Sequence, residues 1–220
     1  FGHKQLAGTA DYLAGFLAGE LGCKTRSVEL STLQRSASHV ASRVDINEAF
    51  MVGGAAVKAA AENGTAMLFA GNSMELLGAS ITDDAGKVYA GIGLADFTAV
   101  QGKKRFVEDV YGHTALFEDA VVGFVNRCSV LTGVKTPLLT DMELGCGNEG
   151  PCGPEGYHSG SVFTSQLTGP ILVKNPALLR IMVQTIYKHR GESCPEVPVD
   201  NYMTQGWAIT AEQLKARCRK

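Results

Sequence analysis

The stretch Met67 to Gly78, Met-Leu-Phe-Ala-Gly-Asn-Ser-Met-Glu-Leu-Leu-Gly, gathers small and polar residues where a nucleophile could sit. Four apolar residues bounded by Gly64 and Gly71 suit a short strand buried on both faces, and Ser73 to Leu77 suit a helix that follows directly. Strand, tight turn and helix in that order place backbone amides at the carboxyl end of a strand in an α/β sheet. A nucleophile elbow needs Cys or Ser there, with small neighbours so that the chain can bend. The turn offers Ala70, Gly71 and Asn72, and no thiol. Ser73 is a candidate nucleophile, although a Ser at the start of a helix reads first as its N-cap. The architecture points to catalysis; the residue chemistry does not.

Other reactive side chains are scattered. Six cysteines (Cys23, Cys128, Cys146, Cys152, Cys194, Cys218) in 220 residues are too dilute for a disulfide-stapled class and read as reduced thiols. Cys146 and Cys152 share a Gly/Pro-rich loop, but their spacing is not a common zinc spacing and no His stands at a complementary offset. No metal or other cofactor is expected. His113 and His158 read as polar loop residues. Asn148, Glu149 and Glu155 either line a pocket or are solvated turn residues, the second being the preferred reading.

The elements that must position these groups are legible in part. Gln5 to Leu21 carries Leu6, Ala10, Leu13, Leu17 and Leu21 on one stripe before Gly22, an amphipathic helix with a glycine stop. Thr25 to Leu30 alternates like a strand and leads into a polar turn, Ser31 to Arg35. Asp45, with Glu48 three residues on, is a candidate N-cap for an apolar-striped helix running to Asn63-Gly64. Asp83 to Gly86 is a turn between strands, and Pro137, Gly145 to Gly156 and Pro170 mark loops. Asn175-Pro176 precedes a helix over Ala177 to Lys188 whose Leu178, Leu179, Met182, Val183 and Ile186 would pack on a sheet. Gly191 to Pro198 reads as a linker, and Thr210 to Arg217 as a short basic docking helix.

The composition, 45% hydrophobic and 19% charged with a net charge of −2, is that of an ordinary globular protein. There is no basic stripe for nucleic acid, no apolar run of membrane-span length and no visible signal peptide, so a cytoplasmic location is expected. The chain begins at Phe1 rather than Met, as the middle of a longer one would.

Two resemblances sharpen the expectations. Phe1 to Thr9 (Phe-Gly-His-Lys-Gln-Leu-Ala-Gly-Thr), Val28 to Arg35 and Asp45 to Ala60 resemble, in order, the later part of a 6-phosphofructokinase of the long, often pyrophosphate-dependent type. That resemblance implies that Gln34 and Arg35 belong to a sugar-phosphate site, Arg35 binding the phosphate of fructose 6-phosphate in bidentate fashion. The family's phosphate-donor loop and catalytic aspartates have no counterpart here, so phosphofructokinase activity is not expected. Past Gly64 the resemblance changes. Leu68 to Gly78, Gly91 to Phe97, Val122 to Arg127, Gly145 to Asn148, Glu155 to Tyr157 and Phe163 to Pro176 together resemble the cobyric-acid-synthase type of class I glutamine amidotransferase domain, most like the amidotransferase subunits of lipid II isoglutaminyl synthases.

This second resemblance puts the nucleophilic Cys position on Gly71 and the catalytic His position on Thr168. A glutaminase needs a thiolate to attack the side-chain amide and an imidazole to move the proton. Neither group is present, and glutaminase activity is not expected; rescue by Cys128, Cys146 or His158 is the alternative. Asn72 and Asn148 are the candidate substrate-binding residues of this part. The expected fold is α/β, a class I glutamine amidotransferase-like (flavodoxin-like), mainly parallel but incomplete sheet preceded by a helix-strand-helix piece of phosphofructokinase type. The expected domains are 1–62, 63–190 and a linker with a short helix over 191–220. The resulting function is a non-catalytic pseudoenzyme module in cell-wall chemistry that partners a Mur-ligase-like subunit; the alternative is a glycolytic phosphofructokinase fragment with a sugar phosphate at Arg35. A seam near Ala59 to Gly64 accounts for both missing halves, either as a chimeric reading frame, the preferred reading, or as a genuine fusion.

Overall fold

The computed structural model describes residues 8–28, 37, 39 and 41–218. The chain divides into two compact units, Phe1–Gly53 and Gly54–Lys220. In the smaller unit, α1 (Thr9–Leu21) ends where Gly22 turns left-handed, φ 62°, and donates its amide to the Ala18 carbonyl at 3.1 Å, the glycine stop that the sequence predicts. No residue of α1 is buried; Leu13, Leu17 and Leu21 are exposed. Residues 25–28 form no strand, which corrects the described part of the Thr25–Leu30 expectation. Thr25 instead donates its hydroxyl to the Ala14 carbonyl on α1 at 2.6 Å.

α2 (Arg43–Glu62) begins two residues before the expected cap. Ser42 accepts the Val44 amide at 3.2 Å, so Asp45 lies in the first turn and Ser42 does the capping. The helix stops at Asn63–Gly64, as expected, with Gly64 left-handed.

The larger unit holds two sheets. The first is three-stranded, in the order β1 (Met67–Ala70), β8 (Val162–Ser165), β7 (Tyr157–Ser159), with β1 parallel and β7 antiparallel to β8. The second has the order β3 (Val88–Ala90), β2 (Ser80–Thr82), β4 (Thr98–Thr114), β5 (Phe117–Thr132), with β6 (Asp141–Leu144) added against β4. Among the described residues, β1–β8 and β2–β4 are the parallel pairs and the rest are antiparallel. The fold is therefore α/β with mixed sheets, and the expectation of a mainly parallel sheet is corrected. The cause lies in β4 and β5, long strands joined by a two-residue turn at Ala115–Leu116, which can only pair antiparallel. β1 is half-buried rather than buried on both faces, and among the described residues it is an edge strand, paired on one side alone.

Three helices complete this unit: α3 (Ile171–Lys174), α4 (Pro176–Arg190) and α5 (Asn201–Cys218). α4 buries Leu178 and Met182 against Val110, Val125, Leu139, Phe163 and Leu167, as its stripe predicts, whereas Ile186 is exposed. A second core joins Met74, Leu77, Phe97, Ala99, Leu131 and Val162. α5 starts nine residues earlier than expected, where the Asp200 carboxylate accepts the Tyr202 amide at 2.6 Å. It is no loose tail: Leu214 is buried with Tyr111, Ala120 and Val122, and the Trp207 indole donates to the Ala120 carbonyl at 2.8 Å. Gly206, a poor helix former, interrupts its sequence signature.

Candidate functional site

β1 runs directly into a 3₁₀ helix, Gly71–Leu77, so the tight turn falls on Gly71 itself. Gly71 is left-handed, φ 63°, a conformation open to glycine at little cost. Its amide donates to the Leu167 carbonyl at 3.1 Å, which seats the turn against the end of β8. A Cβ built on Gly71 would lie 3.6 Å from Thr168 Cγ2. The two positions singled out from the sequence, 97 residues apart, are thus neighbours in space. Thr168 is held in turn by β5, its amide and its hydroxyl both donating to the Phe124 carbonyl, at 2.9 and 3.3 Å.

Ser73 does not cap this helix as the sequence suggests. Residue Ala70 takes the cap position without a side-chain bond, and the Ser73 hydroxyl donates backward to the Ala70 carbonyl at 2.8 Å. Asn72 is exposed beside the turn. Asn148 lies elsewhere, buried in the 145–156 loop, where its amide group donates to the Gly156 carbonyl at 2.9 Å and accepts the Gly156 amide at 3.0 Å. Gln34 and Arg35 fall outside the described residues. Of the alternative groups, Cys146 is buried, with its thiol pushed up by burial, and His158 is held down by burial while its Nε2 lies 3.1 Å from the Gly160 carbonyl.

A buried polar network underlies the turn, and the sequence reading missed it. Glu75, on the 3₁₀ helix, accepts the Ser129 hydroxyl at 2.6 Å. Arg127, on β5, donates to the Ser129 and Gly147 carbonyls and lies 3.5 Å from Cys146 Sγ. Glu155 is fully buried, which corrects its reading as a solvated turn residue; Glu149 alone of that group is exposed. The Glu155 carboxylate accepts the Ser165 hydroxyl at 2.9 Å and the Gln166 amide at 2.6 Å. Burial pushes Glu155 up to about 7 against the opposing pull of those donors and of Arg127. Burial lowers Arg127 in the same way. The signal available in the sequence was Arg127 itself, a cation inside the apolar run Val121 to Leu131, where an unpaired charge would be untenable.

Chemically, the turn has a bent backbone and the Thr168 methyl nearby, but neither thiol nor imidazole at those two positions. The network beneath it fixes geometry: Glu75, Arg127 and Glu155 tie the turn, β5, the 145–156 loop and the segment leading to Thr168 into one piece.

No protein-family profile matches the chain. The chain is 30% identical over 147 residues to the GatD subunit of lipid II isoglutaminyl synthase (glutamine-hydrolyzing) of Streptococcus pneumoniae, 65% of this chain and 56% of that protein. It is 41% identical over 68 residues to the pyrophosphate--fructose 6-phosphate 1-phosphotransferase of Halomonas elongata, and 44% over 68 residues to that of Xanthomonas campestris. Those matches take in 31% of this chain and 16% of each phosphotransferase. The chain thus spans about half the length of the first kind of relative and a small part of the second.

Proposed function

We propose that the larger unit is a glutamine amidotransferase-like subunit without glutaminase chemistry, which serves a Mur-ligase-like protein as a binding partner. What supports this reading is the left-handed Gly71 at the end of β1, with its missing Cβ directed to within 3.6 Å of Thr168. The posture of an elbow is kept while the positions that the family uses for Cys and His carry Gly and Thr. The likeness to the GatD subunit adds to it. Asn72, exposed at the turn, is the proposed ligand contact there. Domain limits at 1–62, 63–190 and 191–220 and a cytoplasmic location belong to the same proposal; no helix among the described residues is long and apolar enough to cross a membrane.

Glutamate release from glutamine tests it. The chain is expected to show none above buffer, since removing such a pair lowers turnover by on the order of 10⁶. The double substitution Gly71→Cys with Thr168→His is expected to raise hydrolysis above that background. Turnover by the unsubstituted chain would overturn the reading. Calorimetric titration with a Mur-ligase-like subunit tests the partner, and absence of heat would remove it.

The phosphotransferase matches favour a second reading for the first part of the chain, a phosphofructokinase-type segment with Arg35 as a sugar-phosphate ligand. Millimolar fructose 6-phosphate is then expected to raise the melting temperature, and an Arg35→Ala chain to lose that shift.

A further inference from the structure

A cleft of the larger unit lies at the far end of the three-stranded sheet from Gly71, where β1 and β8 begin rather than end. It measures about 670 Å³ and is bounded by the end of α2, the β7–β8 turn and the last turn of α4. The four residues of β1 separate it from the Gly71 turn, by about 13 Å at the ordinary rise of a strand. Leu94 and Val162 give it apolar lining.

The polar lining is cationic and rich in donors. Lys188 and His189 enter from α4, and Tyr157, Ser159 and Ser161 from β7 and the turn that follows it. No Asp or Glu lines the cleft. Among the described residues, the Lys188 ammonium, the His189 imidazole and the hydroxyls of Tyr157, Ser159 and Ser161 have no side-chain hydrogen bond or ion pair. Gly64 is left-handed, φ 75°, and a Cβ built on it would stand 3.5 Å from His189 Nδ1, so the imidazole lies against the turn between α2 and β1. The carbonyls that end α4, which would repel an anion, are partly spent: Lys188 O accepts the Gly191 amide at 3.1 Å and Tyr187 O the Glu192 amide at 3.0 Å. The Glu192 carboxylate nearby is held by Arg190 at 2.9 Å.

We propose that this cleft binds a small molecule that carries a phosphate monoester. A carboxylate accepts at about four lone pairs, fewer than the five side chains that offer donors here. A phosphate monoester brings three strong acceptor oxygens and a charge of about −2, which Lys188 and His189 face together. The lining contains no Arg, the side chain whose fork fits a carboxylate, whereas Lys serves phosphate as a point charge. Leu94 and Val162 take the organic body of the molecule. This site is independent of the reading of the Gly71 turn.

Amide NMR shifts of the isotope-labelled full chain, titrated with inorganic phosphate and then with phenyl phosphate at constant ionic strength, test the site. Saturating shifts are expected at Ser159, Gly160, Ser161, Lys188 and His189 and none at Gly71 or Thr168, with phenyl phosphate bound more tightly than inorganic phosphate. Lys188→Gln is expected to weaken binding about tenfold, as loss of one charge-assisted hydrogen bond does, and Lys188→Arg to keep it. Arg35→Ala is expected to leave the titration unchanged, which separates this cleft from a sugar-phosphate site at Arg35. Shifts that do not saturate, shifts confined to other residues, or acetate binding as well as phosphate would each overturn the proposal. Lys188 is exposed, so its substitutions leave the fold intact, and the deciding outcomes are in any case read on the unsubstituted chain.

Discussion

Glu155 has no exposed surface, and burial lifts its carboxyl to about 7 from the ordinary 4.5. Between those values the folded protein holds a proton that the unfolded chain has released. The neutral carboxyl therefore contributes stability in full below the unfolded value, and that contribution is lost as pH rises through about 7. Stability is expected to fall from about pH 5 to about pH 8, by an amount on the order of 2–3 kcal/mol, and Glu155→Gln to flatten the profile. Thermal melts across that range check it; a flat profile in the unsubstituted chain would refute it. This residue also shows where sequence reading ran out. Glu155 sits among Gly and Pro in a stretch without periodicity, and nothing local reveals that its backbone exchanges hydrogen bonds with Leu139, at 2.8 and 3.0 Å, which draws the carboxylate inside. Gly71 and Thr168, by contrast, each stand in a block with a recognisable order, and the structure sets the two side by side.

Asn175 shows how one side chain joins elements. It stands between α3 and α4, where the Asn-Pro pair signals a helix start. The structure adds a strap across to β5: Oδ1 accepts the Val122 amide at 2.8 Å, and Nδ2 donates to the carbonyls of Val122 and Ile171 at 2.9 and 2.8 Å. Asn175→Ala leaves these buried backbone groups unpaired and is expected to cost about 2–4 kcal/mol. Urea unfolding is expected to show a lower midpoint at unchanged slope. At this scale the sequence was readable wherever local chemistry governs. The Asp83 turn between β2 and β3 formed as expected, its carboxylate accepting the Ala85 and Lys87 amides, and α4 formed on its apolar stripe. It was not readable where a partner governs. The β4–β5 hairpin turns on Ala115–Leu116, which carries none of the Gly, Asn or Asp that mark such a turn, and the early turns of α5 depend on Asp200 and on the Trp207 bond to Ala120.

The molecule as a whole carries two likenesses, of 68 and 147 residues, to proteins of unrelated activity. The smaller unit has α1 with no buried residue, while the larger unit has three packed clusters; the hydrophobic support for a site lies in the larger. The long β4–β5 hairpin closes on a two-residue turn, but every β1–β8 pair joins residues 95 positions apart. Loop-closure entropy must be overcome before such a pair gains anything, so the hairpin is expected to form early and β1 to dock late. Gly71 meets Thr168 only after that docking. The Gly71 turn is then expected to be the last part of the larger unit to become protected from hydrogen exchange during refolding, after the β4–β5 hairpin.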